Sequence, residues 1–427
     1  METTTITTSI WQKSKLLIKG FLIAGLVLLL LIPAYFVQNL IEEREARQKE
    51  AFAEVSSKWA GRQNIIGPVL VLPYNQSPNV IGAAKHYAYF LPDNLNIEAE
   101  VRPEERHRGI YQVMLYSSTI KLKGKFNPLP LEKFKIEPAN FLWHEAYICL
   151  SLADARGLKE DITLNWNDSS VIASPAAINN AVIKDGFIAP VNVSAGNSFN
   201  FSSTISFNGS EQLLFTPVGK ETTVKLSSTW PDPSFTGDQL PDHRIADSGF
   251  VATWKSLSHT RTFPQAWEET TYNLQSSSFG ADLFIPVNGY QKTMRSVKYA
   301  VLCILLTFAA FFIIETVNKK SVHPFQYGLI GLALILFYTL LLSFSEYTGF
   351  NTAYIIASVA TVGLIGWFVR GILQSGKLTT VLGVILVLMY SYVFTILQLQ
   401  DYSLLLGSIG LFLTLAVIMH FSKKIQW

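Results

Sequence analysis

Long, nearly uninterrupted apolar runs sit towards the two ends of this chain, and a stretch of short alternating runs lies between them. The first run, residues 16–37, holds Lys19 as its only ionisable side chain and is long enough to cross ~30 Å of hydrocarbon as a helix. Five more follow in the last third, at 299–317, 327–344, 354–369, 378–397 and 402–420, separated by loops of a few residues. Backbone polar groups in lipid must be satisfied inside each segment, so loops this short predict antiparallel neighbouring helices.

Past the first run the pattern stays helical but becomes amphipathic. Glu43 and Arg47, Glu45 and Lys49, and Glu54 and Lys58 stand four apart with the acid first, the order that supports a helix. Phe52, Val55 and Trp59 recur at spacings of three and four, which predicts a stalk whose apolar stripe packs on the following domain. Pro33 removes a backbone donor near the end of the span and predicts a kink there.

From Gly61 the period falls to two. Ile97, Ala99 and Val101 alternate with polar residues, as do Phe199, Phe201, Ser203, Ile205 and Phe207, and Thr222, Val224 and Leu226. Further runs at 69–72, 86–90, 111–116, 120–123, 147–152, 162–166 and 250–254 bring the expectation to roughly ten strands, punctuated by Asn, Gly, Asp, Pro and Ser. No long amphipathic helix interrupts them, so the expected architecture is an antiparallel sandwich, or two smaller ones in series with a boundary near 197–210.

The predicted fold class is therefore membrane α-helical, with six transmembrane helices (one N-terminal, five C-terminal), plus a large all-β, sandwich-like periplasmic domain. The corresponding segments are 1–40 (cytoplasmic tail and first transmembrane helix), 41–60 (helical stalk), 61–297 (β-rich domain) and 298–427 (five-helix bundle). Charge sets the orientation. Lys13, Lys15 and Lys19 precede or enter the first span, and with that end cytoplasmic, Lys319, Lys320, Arg370, Lys377, Lys423 and Lys424 also fall inside, while Glu346 and Asp401 fall outside. Lys292, Arg295 and Lys298 break the pattern, since they precede the second span on the outer side. The first run is too long for a signal peptide and lacks a small-residue cleavage site, so it reads as an uncleaved anchor.

Composition adds exclusions. A content of 49% hydrophobic and 15% charged residues suits a membrane chain, and a net charge of +3 with no basic stripe argues against nucleic acid. Cys149 and Cys303 lie in different solvents and form no disulfide framework.

Several strings make the chain resemble a known family. Leu40-Ile-Glu-Glu-Arg44, Gly67-Pro-Val-Leu-Val-Leu-Pro-Tyr74, Pro103-Glu-Glu-Arg-His-Arg-Gly-Ile-Tyr111, Asp154-Ala-Arg-Gly157, Trp230-Pro-Asp-Pro-Ser-Phe-Thr-Gly237, Gly249-Phe-Val-Ala-Thr-Trp254, Lys298-Tyr-Ala300 and His323-Pro-Phe-Gln-Tyr327 together resemble the CreD family of bacterial inner-membrane proteins, in order and over nearly the whole length. The resemblance implies a protein of the cell inner membrane linked to cell-envelope integrity, commonly under an envelope-responsive two-component system. It implies no reaction.

The residues propose little chemistry of their own. Trp230, Asp232, Asp238 and Asp242 lie in a Pro-rich stretch of the kind a carbohydrate or cation uses, although a Pro-fixed turn with locally bonded carboxylates is the simpler reading. Arg106 and Arg108 have the chemistry to clamp a phosphate or carboxylate, against which stands ion pairing with Glu104 and Glu105 or a neighbouring strand. His86, His107, His144, His243 and His259 lack zinc-motif spacing, and no Gly-x-Ser-x-Gly elbow occurs. Gly371 to Lys377 has phosphate-loop spacing, but Leu378 replaces the magnesium-binding hydroxyl, so no nucleotide is expected. Transport needs ionisable groups within the bundle, and Glu315, Glu346 and Asp401 all stand near helix ends. The expected protein is non-enzymatic, without metal or cofactor, and its partners are the bilayer and an envelope component, or a periplasmic or inner-membrane protein. The rival readings are a transporter or handler of lipid or envelope precursors, and a membrane-tethered carbohydrate-active or hydrolytic enzyme.

Overall fold

A computed structural model describes residues 3–75, 85–177, 185–268, 272–283, 289–318, 322–399, 405–410, 412, 416 and 419, with side chains from Ile18 onward. They form two compact units, Met1–Lys49 with Val287–Trp427, and Glu50–Pro286.

Helix α1, Thr3–Trp59, contributes to both units and is unbroken, so the predicted span continues into the predicted stalk as one helix. The reason is the run of charged pairs beyond the apolar segment: Glu43–Arg47, Glu45–Lys49 and Glu54–Lys58 all form, so the helix leaves the apolar run without losing side-chain support. Pro33 lies inside the helix. Val27, Leu30, Ala34, Val37 and Ile41 are buried at alternating spacings of three and four, while Phe21, Leu28, Leu29, Ile32, Tyr35 and Phe36 are exposed, the division expected of a helix with one packed and one lipid-facing side.

The strands of the second unit are β1 Gln63–Tyr74, β2 His86–Phe90, β3 Asn94–Arg108, β4 Tyr111–Phe126, β5 Tyr147–Leu152, β6 Thr163–Trp166, β7 Ser169–Ile172, β8 Ser174–Ala177, β9 Asp185–Pro190, β10 Phe199–Ser210, β11 Gln212–Phe215, β12 Glu221–Ser228, β13 Ser234–Gly237, β14 Asp242–Ala246, β15 Gly249–Leu257, β16 Ala266–Glu268 and β17 Phe279–Asp282. They build two sheets. The first has the order β13-β17-β11-β1-β5-β9-β8, with β2 also on β1 and β16 on β2; the second has the order β14-β15-β12-β3-β4-β10-β6-β7.

Three expectations are corrected. The sheets are mixed rather than purely antiparallel, because β1 pairs β11 and β12 pairs β3 in parallel. Residues 111–116 and 120–123 belong to one long strand, and several strands of four residues are too short to show a period, so roughly ten runs become seventeen strands among the described residues. The proposed boundary at 197–210 is instead occupied by β10, an inner strand paired with β4 from Phe199 to Ser210 and with β6 on its other side.

One hydrophobic core lies between the sheets. β1 is buried almost throughout, which explains why Ile65 to Leu72 reads as a continuous apolar run and not as an alternation. Trp254 of β15 stacks on Phe279 of β17 with ring centres 5.5 Å apart, and Phe235 of β13 meets Phe250 and Trp254 edge-on, so aromatic side chains join one sheet to the other.

The remaining helices are α2 Gly289–Lys298, α3 Ala300–Val317, α4 Pro324–Thr348, α5 Phe350–Leu373 and α6 Gly376–Gln398. With α1, the last four are long and apolar enough to cross a membrane, giving five such helices among the described residues. The sixth expected span, 402–420, lies mostly outside the described residues, although 405–410 are helical. The His323-Pro-Phe-Gln string is a helix start: His323 Nδ1 accepts from the Phe325 amide at 3.2 Å, Gln326 accepts from the His323 amide at 3.1 Å, and Pro324 takes the first helical position, where no donor is needed.

Candidate functional site

The residues singled out in sequence do not converge. Arg106 donates to Glu104 at 2.9 Å and lies over the Trp59 ring at 4.4 Å, and Arg108 donates to both Glu54 oxygens at 2.9 and 3.1 Å. Both arginines are thus engaged by carboxylates and by the end of α1. Trp230 is half-buried and donates its indole N–H to the Asp232 carbonyl at 3.0 Å, while Asp232, Asp238 and Asp242 are exposed. The Asp238 amide donates to the Ser278 carbonyl at 3.2 Å, and Asp242 opens the edge strand β14. The Gly371–Lys377 string spans the end of α5 and the start of α6. Among the described residues no three His, Cys, Asp or Glu side chains gather in a metal-binding cluster.

The structure brings other groups together. Glu315, near the end of α3, is 6% exposed and is ion-paired with Lys19 of α1. The Tyr327 hydroxyl donates to it at 2.8 Å and the Val322 amide at 3.0 Å, while Lys19 also donates to the Val322 carbonyl at 2.6 Å. Every one of these contacts ties α1, α3 and the start of α4 together. Sequence reasoning took Glu315 as a helix-end charge; the overlooked signal was Lys19, since a lone cation in an apolar span needs an anion brought to it. A second carboxylate occupies the opposite end of α4: Glu346 accepts from the Tyr290 hydroxyl at 2.9 Å and lies 3.9 Å from an Arg44 guanidinium nitrogen. α1 is therefore matched to the bundle by one ion pair near each end of its span.

Between these ends, among the described residues, the bundle interior holds hydroxyls and no charge. Tyr354 donates to the Tyr390 carbonyl at 2.9 Å, and Phe337 packs against Tyr338, Tyr354 and Tyr390. Such hydrogen bonds join helices without supplying a proton or ion relay.

A third cluster fixes the last turn of α1 within the β domain. Asp154 accepts from the Gly61 amide at 2.8 Å and from the Arg156 guanidinium at 2.9 and 2.7 Å. Arg156 in turn donates to the Ser57 carbonyl at 2.7 Å, and Ser210 donates to the Ala60 carbonyl at 2.8 Å, so carbonyls left open at the helix end find donors. Gln63 bridges this cluster to Asn208. A side chain at Gly157 would strike the Asn208 carbonyl and the Ala60 methyl, which accounts for the fourth residue of the Asp-Ala-Arg-Gly string. The hydrogen bonds from Arg156, then the Gly61 amide, hold the Asp154 carboxyl down to about 2, against the opposing effect of its burial.

A bundle of apolar helices, joined to a two-sheet domain with its own core, defines a polytopic membrane protein carrying a large β domain. The family described as inner membrane protein CreD matches residues 15–427, and the chain belongs to that family. The inner membrane protein CreD of Escherichia coli (strain K12) is 30% identical over 430 residues, covering 97% of this chain and 94% of that protein. Among solved structures, an M1 zinc metallopeptidase from Deinococcus radiodurans aligns with a TM-score of 0.20 at 8% identity, covering 39% of this chain and 38% of that one. A likeness at that level carries no argument about fold or chemistry.

Proposed function

We propose that this inner-membrane protein supports cell-envelope integrity without catalysing a reaction, its β domain lying on the periplasmic side and binding an envelope component or a periplasmic or inner-membrane protein. The observation that carries this reading is the assignment of the charged side chains. Arg106, Arg108, Asp154 and Arg156 of the β domain, and Lys19, Glu315, Arg44 and Glu346 of the helical unit, are spent on holding elements together. The exposed carboxylates Asp232, Asp238 and Asp242 flank β13 and open β14, a setting suited to contact with a partner. Orientation rests on Lys13, Lys15 and Lys19 before or within the first span and on Arg370 and Lys377 between later ones.

Two experiments test it. Reporters active only in the periplasm should work when fused near Asn197, Glu346 and Asp401 and fail near Lys320; the reverse pattern overturns the orientation. Photo-crosslinking residues placed at Asp232, Asp238 and Asp242 should capture a discrete envelope species in living cells. Absence of any adduct at these positions, with efficient crosslinking at a control site, would reject this segment as the contact surface.

A further inference from the structure

The cations that break the charge rule, Lys292, Arg295 and Lys298, share the ten-residue helix α2. This helix has two distinct sides. Tyr290, Thr293, Ser296 and Val297 are buried, and α2 packs against α3, α4, α5 and α6. It is fixed there by the Tyr290–Glu346 hydrogen bond and by Lys292, which donates to Gln398 at 3.4 Å and lies 5.7 Å from the centre of the Phe350 ring. Gln291, Arg295 and Lys298, spaced by four and three, form the opposite, exposed stripe. α2 contains no acidic residue, and among the described residues neither Arg295 nor Lys298 has an ion-pair partner.

The level of this stripe along the bundle is set independently. Lys298 stands two positions before Ala300, where the α3 span begins, and α2 meets α4 at Glu346, beside Tyr347, which is 74% exposed. Exposed tyrosines at span ends mark the headgroup zone of a bilayer. Cations at that depth, on an amphipathic helix and without protein partners, face lipid phosphates.

We infer that α2 is an interfacial helix whose Arg295 and Lys298 bind the headgroups of anionic phospholipids, making this end of the bundle selective for anionic over zwitterionic lipid. The inference needs only that α3 spans the membrane, so it holds whichever side the β domain occupies.

Native mass spectrometry of the full chain in detergent, with added phosphatidylglycerol or phosphatidylcholine, tests it. The wild type should retain phosphatidylglycerol preferentially. Arg295→Gln with Lys298→Gln should lower that retention about tenfold while leaving phosphatidylcholine unchanged. Arg244→Gln with Lys225→Gln, removing exposed cations of the β domain, should have no effect. Equal phosphatidylglycerol retention by the wild type and the α2 double variant overturns the proposal. Should the double variant fail to fold, Arg295→Lys with Lys298→Arg preserves the charge; its preference should survive at low salt and vanish near ~0.5 M, and a salt-independent preference overturns the proposal as well.

Discussion

At the scale of single residues, Lys19 and Glu315 tie α1 to α3 within the helical unit. Replacing Glu315 by Gln leaves an ammonium among apolar helices with only a carbonyl and an amide for company, a loss of about 3–5 kcal/mol. Thermal unfolding of the purified protein should show the loss for Glu315→Gln and for Lys19→Met singly, and a smaller loss for the two together. Strict additivity of the single effects would show that the ion pair is not the source. Asp154 belongs to the other unit and predicts a pH dependence. Its folded value, about 2, lies below the ordinary aspartate value, so its stabilisation is complete above about pH 4 and is lost as pH falls through 2. The difference in urea midpoint between the wild type and Asp154→Asn should therefore be largest near neutrality and shrink steadily over that acid interval. A difference that stays constant across the interval would remove Asp154 from the explanation. Cys149, by contrast, is fully buried and its thiol is pushed up to about 12 by that burial, which favours the protonated form.

At the scale of elements, backbone geometry decides which strings of the sequence are tolerant. Gly249 opens β15 at a φ of 129°, and a Cβ there would strike the carbonyl of Ser228 on the paired strand β12. Gly249→Val should cost at least about 2 kcal/mol and lower the denaturation midpoint of the β domain; an unchanged midpoint would mean that the β14–β15 turn relaxes. Legibility in the sequence followed the strength of the period. Helices α3 to α6 were readable to within a few residues, as with α3, expected over 299–317 and found over Ala300–Val317, because lipid permits few alternatives to a helix. His86–Phe90 and Tyr147–Leu152 were read at their observed limits from their apolar and aromatic content. The four-residue strands β7, β8 and β13 escaped because two side chains on each face do not establish an alternation. The parallel pairings also escaped, since nothing local distinguishes a strand's partner from its neighbour in sequence.

At the scale of the whole molecule, the two sheets share one core, which decides how the β domain can be divided. Fragments split near residue 197 should each fail to give a cooperative unfolding transition, whereas 50–286 together should give one; independent folding of either fragment would contradict the shared core. The site was less legible than the fold for a related reason. Sequence reasoning weighed Arg106, Arg108 and the aspartates of the Trp230 turn by local composition. The polar groups that organise the protein meet instead across separations such as 296 residues for Lys19 and Glu315 and 91 for the Gln63 amide and the Asp154 carbonyl. Long-range pairs of this kind leave no local pattern, and Lys19 revealed only that a partner was needed.

The same separation imposes an order on synthesis. A ribosome adding ~5–20 residues per second makes Lys19 wait roughly a quarter of a minute to a minute before Glu315 leaves the exit tunnel. Throughout that interval the newborn anchor carries a naked ammonium at the edge of hydrocarbon, so its retention depends on the insertion machinery or on the lysine stem reaching back to water. The finished bundle closes only when the last third of the message has been translated, and a truncated transcript leaves behind an anchor whose cation never finds its anion.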